Sequence, residues 1–190
     1  MSTYVTPRRG AEAQAFLDAN PNVDSVHVVW TDLCGVQRGK ILRRDEVVPA
    51  WNDGRFFPIS ALVLDATGQD VSETGLVFDE GDRDLLLWPV PGSLVLIPWL
   101  ENTAQYVAAI HDLDGMPAYA DPRNALEKLV NRFKSDLNMT PVGAIELEFF
   151  LMDRASALAG KPMPPKSLIN EARPQHYQAY YLQDTDDFAP

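Results

Sequence analysis

Two glutamates, Glu146 and Glu148, stand two residues apart in the apolar stretch 142–152 (VGAIELEFFLM). Its aliphatic and aromatic residues predict a β-strand. Alternate side chains of a strand share a face, so the two carboxylates would lie side by side, roughly 6–7 Å apart. Carboxylate oxygens are ligands that suit the hard cations Mg²⁺ and Mn²⁺. The pair is therefore a candidate metal site.

Electrostatics bears on this interpretation. A buried ionised carboxylate is unfavourable unless it is compensated, and two neighbouring carboxylates also repel each other. Protonation, a basic partner or a bound cation would each resolve the conflict, and we favour the cation. The alternative is an ordinary half-exposed strand with both glutamates on its solvent face, although the apolar residues Ala144, Phe150 and Met152 would share that face. Two carboxylates are too few for a complete site, so further ligands are expected from beyond residue 190.

Composition excludes several classes of function. The 190 residues suffice for one good-sized domain or two small ones, and the formal net charge of −11 disfavours binding to nucleic acid or to an anionic membrane. No apolar run has the length of a membrane span, and no signal core follows the amino terminus. The single cysteine, Cys34, cannot form an internal disulfide. These features predict a cytoplasmic protein.

Other sites of chemistry are not indicated. The sequence has no Gly-rich phosphate loop, nucleophile elbow or His-Glu-x-x-His motif. The histidines are widely spaced, and we interpret each as packed or solvated. A basic cluster begins on the second arm of the first hairpin and continues just past it, and a solvated strand edge is favoured over an anion site for it. The histidines are His27, His111 and His176. The basic cluster consists of Arg38, Lys40, Arg43 and Arg44.

The first part of the chain predicts an α+β domain that ends near residue 117. A helix is expected at 11–20, followed by a hairpin of strands at 23–31 and 36–42 and a short helix at 45–52 capped by Asp45. A long loop at 65–84, a functional or mobile feature in most compact domains, precedes strands at 85–88, 93–97 and 105–111.

A second domain is predicted over 118–190. Asp121 before Pro122 predicts the start of a helix that continues to about Asn138, with an apolar face of Leu126, Leu129, Val130, Phe133 and Leu137. The strand with the two glutamates follows it. The proline-rich stretch 161–165 and the acidic tail 183–190 add no regular element, so this domain is expected to be incomplete.

Several stretches, in their order along the chain, resemble the glutamine synthetase family. The Glu-x-Glu-Phe core of 142–151 is similar to that family's first active-site strand, and the hairpin at 30–40 (WTDLCGVQRGK) is similar to its amino-terminal β-grasp domain. Further stretches resemble, more narrowly, the γ-glutamylpolyamine (putrescine) synthetase branch. They are 57–58 (FP), 73–76 (ETGL), 88–94 (WPVPGSL), 112–115 (DLDG) and 121–126 (DPRNAL).

The resemblance implies the amino-terminal portion of an ATP-dependent ligase. It implies a β-grasp domain at 1–117 and, at 118–190, the beginning of a catalytic α/β domain with its helix and active-site strand. Glu146 and Glu148 would each hold one of two Mg²⁺ or Mn²⁺ ions. Glutamate is phosphorylated on its γ-carboxylate, and an amine such as putrescine then displaces phosphate. The family forms stacked rings, so a homo-oligomer is implied for the complete enzyme.

Two departures from the family pattern shape the expectation. Ammonia-using members carry an Asp-Gly-Ser-Ser-like loop where this chain has Phe57-Pro58-Ile59-Ser60-Ala61, which favours a larger amine. The family's remaining metal, nucleotide and glutamate ligands lie further along, so the 190-residue chain is expected to be inactive by itself. The alternatives are an ammonia-using glutamine synthetase and a non-catalytic β-grasp module for binding or assembly.

Overall fold

The computed structural model describes residues 10–77, 79, 81–166 and 182. The chain divides into two compact units, Met1–Pro141 and Val142–Pro190. The expectations for the amino terminus, for His176 and for the acidic tail 183–190 lie outside the described residues. The domain boundary expected after residue 117 stays a prediction.

The first unit is built on a mixed six-stranded sheet with the order β2-β1-β6-β4-β3, in which β5 also pairs with β6. β1 and β6 run parallel, from Ser25 opposite Thr103 to Val29 opposite Val107. The other pairings are antiparallel. The strands are β1 Ser25–Thr31, β2 Gln37–Arg43, β3 Arg55–Pro58, β4 Asp84–Pro89, β5 Val95–Leu96 and β6 Thr103–His111.

The helices of the first unit are α1 Gly10–Ala19, α2 Arg44–Asp53 and α3 Pro122–Leu137, with short 3₁₀ helices at Ile59–Leu62 and Ser72–Thr74. The second unit contains α4 Arg154–Leu158. The α+β character of the first part of the chain, its hairpin and its later strands are confirmed. In the hairpin, a β-carbon at position 39 would lie 2.9 Å from the carbonyl oxygen of Val28, so the two strands require glycine there.

The core of the first unit lies between one face of the sheet and the first two helices. Val26, Val28 and Trp30 are buried, as their period-2 spacing predicts for one face of β1. Two aromatic contacts extend the core: Trp51 of α2 meets Tyr106 of β6 with ring centroids 4.7 Å apart. Trp30 meets Phe57 of β3 at 5.2 Å. Both arrangements are tilted, the geometry that aromatic quadrupoles favour.

The start of α2 differs from expectation. Asp45 does not cap it, because the helix begins one residue earlier and Arg43 takes the cap position. The side chain of Glu46 reaches back and accepts a hydrogen bond from the backbone N–H of Arg43 at 3.0 Å. This is the glutamate half of a capping box, and it holds the pKa of Glu46 below its usual range.

The long loop after the first 3₁₀ helix is fastened to the rest of the first unit at several described points. Leu76 is buried in the core. Asp82 accepts a hydrogen bond from the backbone N–H of Ser60 at 2.9 Å. Arg83 forms an ion pair with Asp112 at 2.7 Å. The described part of this loop is thus held on both sides of β4.

Helix α3 starts where the sequence predicts. Asp121 is its N-cap and Pro122 occupies the first turn, while Asn138 ends it in the left-handed conformation. Its apolar face, however, is not fully covered by the described residues: Leu126 is 63% exposed and Leu129 is 51% exposed. The amphipathic pattern predicted the helix, and among the described residues its apolar face is only partly buried, at Val130 and Phe133.

In the second unit the strand expected at 142–152 is wrong for this structure. The segment has neither helix nor strand, with Ile145 88% and Phe149 75% exposed. A strand is stabilised by a neighbour that pairs its backbone N–H and C=O groups, and the described residues place none beside it. The capped helix α4 follows, with the side chain of Asp153 accepting from the N–H of Ser156 at 2.8 Å.

Candidate functional site

Glu146 and Glu148 lie in the extended, unpaired segment of the second unit, and both are exposed. The electrostatic conflict expected for a buried pair therefore does not arise in this structure, because water solvates each carboxylate. The alternating pattern is still present in the sequence. It places both carboxylates on one face only if the segment pairs as a strand of a sheet.

The two side chains offer the type of ligand that the cation prefers, but they are too few to complete its coordination. Its carboxylate oxygens are ligands that Mg²⁺ and Mn²⁺ favour. Across the part of the chain that the structure describes, however, no group of three or more His, Cys, Asp or Glu side chains is placed to hold a metal ion. The metal role of Glu146 and Glu148 stays a prediction, for which these residues supply part of a ligand set.

The carboxylate nearest to this segment along the chain has a structural role. Asp153 caps α4, and hydrogen bonds from the backbone N–H and side chain of Ser156 hold its pKa below the usual range. The N–H of Asp153 in turn donates to the carbonyl oxygen of Met163 at 2.9 Å. Asp153 thus holds together the segment from 153 to 163 through its bonds with Ser156 and Met163.

Three of the four residues of the basic cluster have structural partners, while the Arg43 side chain is 78% exposed. Arg38 pairs with the buried carboxylate of Asp32 at 2.8 Å, and Lys40 donates to the carbonyl oxygen of Phe56 at 2.7 Å. Arg44 donates to three backbone carbonyl oxygens. Lys40 and Arg44 join β2 and α2 to segments distant in sequence, and the spacing of the basic residues gave no signal of those partners.

The stretch 57–61, where the family resemblance raises the question of ammonia, forms the end of β3 and the start of a 3₁₀ helix. It contains no aspartate, as the sequence shows. The structure nevertheless brings the exposed carboxylate of Asp82 to this turn, through its hydrogen bond with the N–H of Ser60. Sequence reasoning missed Asp82 because it lies more than twenty residues away.

Sequence reasoning also failed to predict the contacts of two buried polar residues of the first unit. Asp121 is 2% exposed and Asn124 is 8% exposed. The sequence identified Asp121 as a helix cap, but its second carboxylate oxygen also accepts from the N–H of Ile110 in β6 at 2.9 Å. Burial raises the pKa of Asp121, and the hydrogen bonds from Ile110 and Arg123 oppose that effect.

Comparison with known proteins gives consistent relatives. No protein-family model matches the chain. It is 33% identical over 187 residues to gamma-glutamylputrescine synthetase PuuA of Escherichia coli (strain K12), which covers 96% of this chain and 39% of that protein. It is 31% identical over 149 residues to a glutamate–isopropylamine ligase of a Pseudomonas species, covering 72% of this chain and 30% of the relative. The chain thus spans about two fifths or less of these relatives' length.

Solved structures agree. A structure described as a novel glutamine synthase homolog matches with a TM-score of 0.53 and 25% identity, over 60% of this chain and 27% of that one. Another, apo GmaS without ligand, matches with a TM-score of 0.51 and 25% identity, over 64% of this chain and 26% of the other. Within the described residues, no helix is long and apolar enough to cross a membrane.

Proposed function

Because the chain belongs to the glutamine synthetase family, we propose that it is the amino-terminal part of an ATP-dependent glutamate–amine ligase. The observation that carries this proposal is the 33% identity to gamma-glutamylputrescine synthetase, which extends over 96% of the chain. A match of that extent reflects common descent of the whole chain and not one shared motif. Residues 1–117 would form the family's β-grasp domain, and residues 118–190 would begin the catalytic domain.

The proposed reaction has two steps. ATP transfers its γ-phosphoryl group to the γ-carboxylate of glutamate, giving γ-glutamyl phosphate and ADP. The nitrogen of an amine then attacks the acyl carbon, the C–O bond to phosphate breaks, and the product amide forms with release of phosphate and a proton. Divalent ions would neutralise phosphoryl charge in the first step. Glu146 and Glu148 are the residues of this chain that would bind them.

An amine larger than ammonia is the preferred acceptor. Two relatives, 33% and 31% identical, are named for putrescine and isopropylamine. Glutamine synthetases of Rhizobium leguminosarum bv. phaseoli and Thermotoga maritima are 30% and 27% identical. The absence of aspartate from 57–61 points the same way. The complete enzyme would be a cytoplasmic homo-oligomer of stacked rings, as the resemblance implies.

The test uses the longer reading frame that would contain this chain. Phosphate release with glutamate, ATP and Mg²⁺ is measured with putrescine, isopropylamine or ammonium as acceptor. We expect release with an organic amine, and loss of most activity in Glu146→Gln and Glu148→Gln. Asp136→Asn, an exposed change on α3, is the matched control and should keep full activity. Release with ammonium alone would establish glutamine synthetase instead.

A non-catalytic binding or assembly module is the second candidate. It is favoured by one observation: the unit Met1–Pro141 has a buried core of its own. The intact mass of the native gene product separates the two, since a product of about 21 kDa would match this chain's 21.1 kDa and would exclude the ligase. A mass more than twice as large, in keeping with the relatives' lengths, is the expected result.

A further inference from the structure

The first turn of α3 is attached to β6 by side-chain hydrogen bonds from Asp121 and Asn124. Asp121 accepts from the N–H of Ile110 through one carboxylate oxygen at 2.9 Å and from the N–H of Arg123 through the other at 3.0 Å. The amide nitrogen of Asn124 donates to the carbonyl oxygens of Ile110 at 2.6 Å and Ala118 at 3.2 Å. Both backbone groups of Ile110 are therefore bonded to side chains of the helix start.

These bonds take the place of a strand. The parallel pairing of β1 with β6 ends at Val107, so Ile110 lies beyond the reach of β1. An unpaired backbone N–H or C=O that is buried is unfavourable. Asp121 satisfies the N–H of Ile110, while Asn124 and the N–H of Ala118 satisfy its C=O. The end of β6 is thus completed by the first turn of the helix.

Further along α3, the described side chains are less buried. Among the described residues, the buried members of the helix are confined to the first turn, where Asn124 is 8% exposed. Val130 and Phe133 are partly buried, whereas Leu129 is 51% and Leu137 is 59% exposed. The most buried contacts of the helix are therefore those of its first turn.

We propose that Asp121 and Asn124 form a rigid joint that fixes the direction of α3 from β6, so that the first unit presents the helix and its exposed apolar face in a set orientation. An ordinary helix cap satisfies the helix's own N–H groups. The joint differs because Asp121 and Asn124 also bond the backbone of Ile110 in β6. The inference rests on the contacts of the first unit and is independent of the proposed ligase activity.

Asp121→Ser separates the two roles. Serine is a good N-cap that can still accept from the N–H of Arg123, but its shorter side chain does not also reach the N–H of Ile110. We expect unchanged helix content by circular dichroism. Hydrogen exchange of the Ile110 amide should become about tenfold faster or more, as expected when a buried bond to a charged acceptor is lost. The matched control, Asp136→Asn, should leave that rate unchanged.

Direction itself is measured with two spin labels in a Cys34→Ser background. Ile41→Cys on β2 and Lys134→Cys on α3 place labels at exposed positions of the sheet and of the helix. Pulsed electron resonance should give one narrow distance distribution, which broadens in Asp121→Ser. Asn124→Ala provides a second variant, and it should broaden the distribution as well. Narrow distributions in both variants, or a broad one in the parent, would overturn the joint.

Discussion

The guanidinium group of Arg44, at the start of α2, lies 2.6 Å from the carbonyl oxygen of Leu17 near the end of α1. It also donates to the carbonyl oxygens of Asn20 and Val23, at 2.9 and 2.7 Å. The last turn of α1 contains no basic residue, so this cation from a distant part of the chain serves the negative end of the helix dipole. One side chain joins the first helix, the turn after it and the second helix.

Arg44→Met should therefore destabilise the first unit by about 1–3 kcal/mol, because three carbonyl groups lose a charged donor. Urea denaturation followed by tryptophan fluorescence measures this change. Arg43→Met is the matched control: the Arg43 side chain is 78% exposed, and its loss should change the free energy of unfolding by less than about 0.5 kcal/mol. Equal effects of the two substitutions would contradict the role of Arg44.

The turn of the first hairpin depends on a buried carboxylate. Asp32 is 1% exposed and accepts from the N–H groups of Cys34 and Val36 as well as from the guanidinium of Arg38. Asp32→Asn should cost about 1–3 kcal/mol, discounted because Arg38 is partly exposed. Asp114→Asn, in the exposed and similar turn after β6, is the control with an expected cost under about 0.5 kcal/mol. A double-mutant cycle with Arg38→Gln should show coupling.

Gly39 permits the close approach of β2 to β1. A β-carbon there would lie 2.9 Å from the carbonyl oxygen of Val28, which belongs to the backbone and cannot rotate away. Gly39→Ala should destabilise the protein by about 1–3 kcal/mol. Gly143→Ala, where the space around the added carbon is open, should have no measurable effect on thermal unfolding. Tolerance of alanine at both positions would show that the hairpin is looser than its backbone distances indicate.

Asp121 makes the free energy of unfolding depend on pH with a sign that is uncommon for a carboxylate. Burial raises its pKa above the ordinary value of 3.8, so between that value and the raised pKa the folded state binds more protons than the unfolded state. Its contribution to stability therefore decreases as pH rises through that window. The carbon resonance of the Asp121 carboxyl should titrate at a pH above the ordinary value of 3.8. In Asp121→Asn, the unfolding free energy should lose this decrease, which begins as pH rises above the ordinary value of 3.8.

Metal binding by the 190-residue chain should be weak. Glu146 and Glu148 are exposed, and the described residues offer no third ligand near them. Calorimetry with Mn²⁺ should give a dissociation constant weaker than about 1 mM, and the double variant Glu146→Gln/Glu148→Gln should titrate like the parent. A tight stoichiometric site that this double variant abolishes would show that the chain supplies a complete metal centre.

Local patterns in the sequence predicted most of the first unit correctly. The alternation at Val26, Val28 and Trp30 identified β1, and the Asp121-Pro122 pair identified the start of α3, because both signals depend on neighbours in the chain. The partners of Arg44 and the second bond of Asp121 could not be predicted, since they join residues far apart in sequence. The same limit applies to 142–152, where the alternation of apolar residues presupposes a sheet that must come from elsewhere.

The parallel pairing of Ser25 with Thr103 has a consequence for the order of events during synthesis. The β1–β2 hairpin closes locally and can form as soon as residue 43 has left the ribosome. β1 cannot acquire its second neighbour until β6 has emerged, so its other edge waits unpaired for most of the synthesis of the first unit. The nascent chain therefore carries a strand of apolar residues with one edge unpaired. Holdase chaperones should bind this strand most strongly after β2 has emerged and before β6 has emerged.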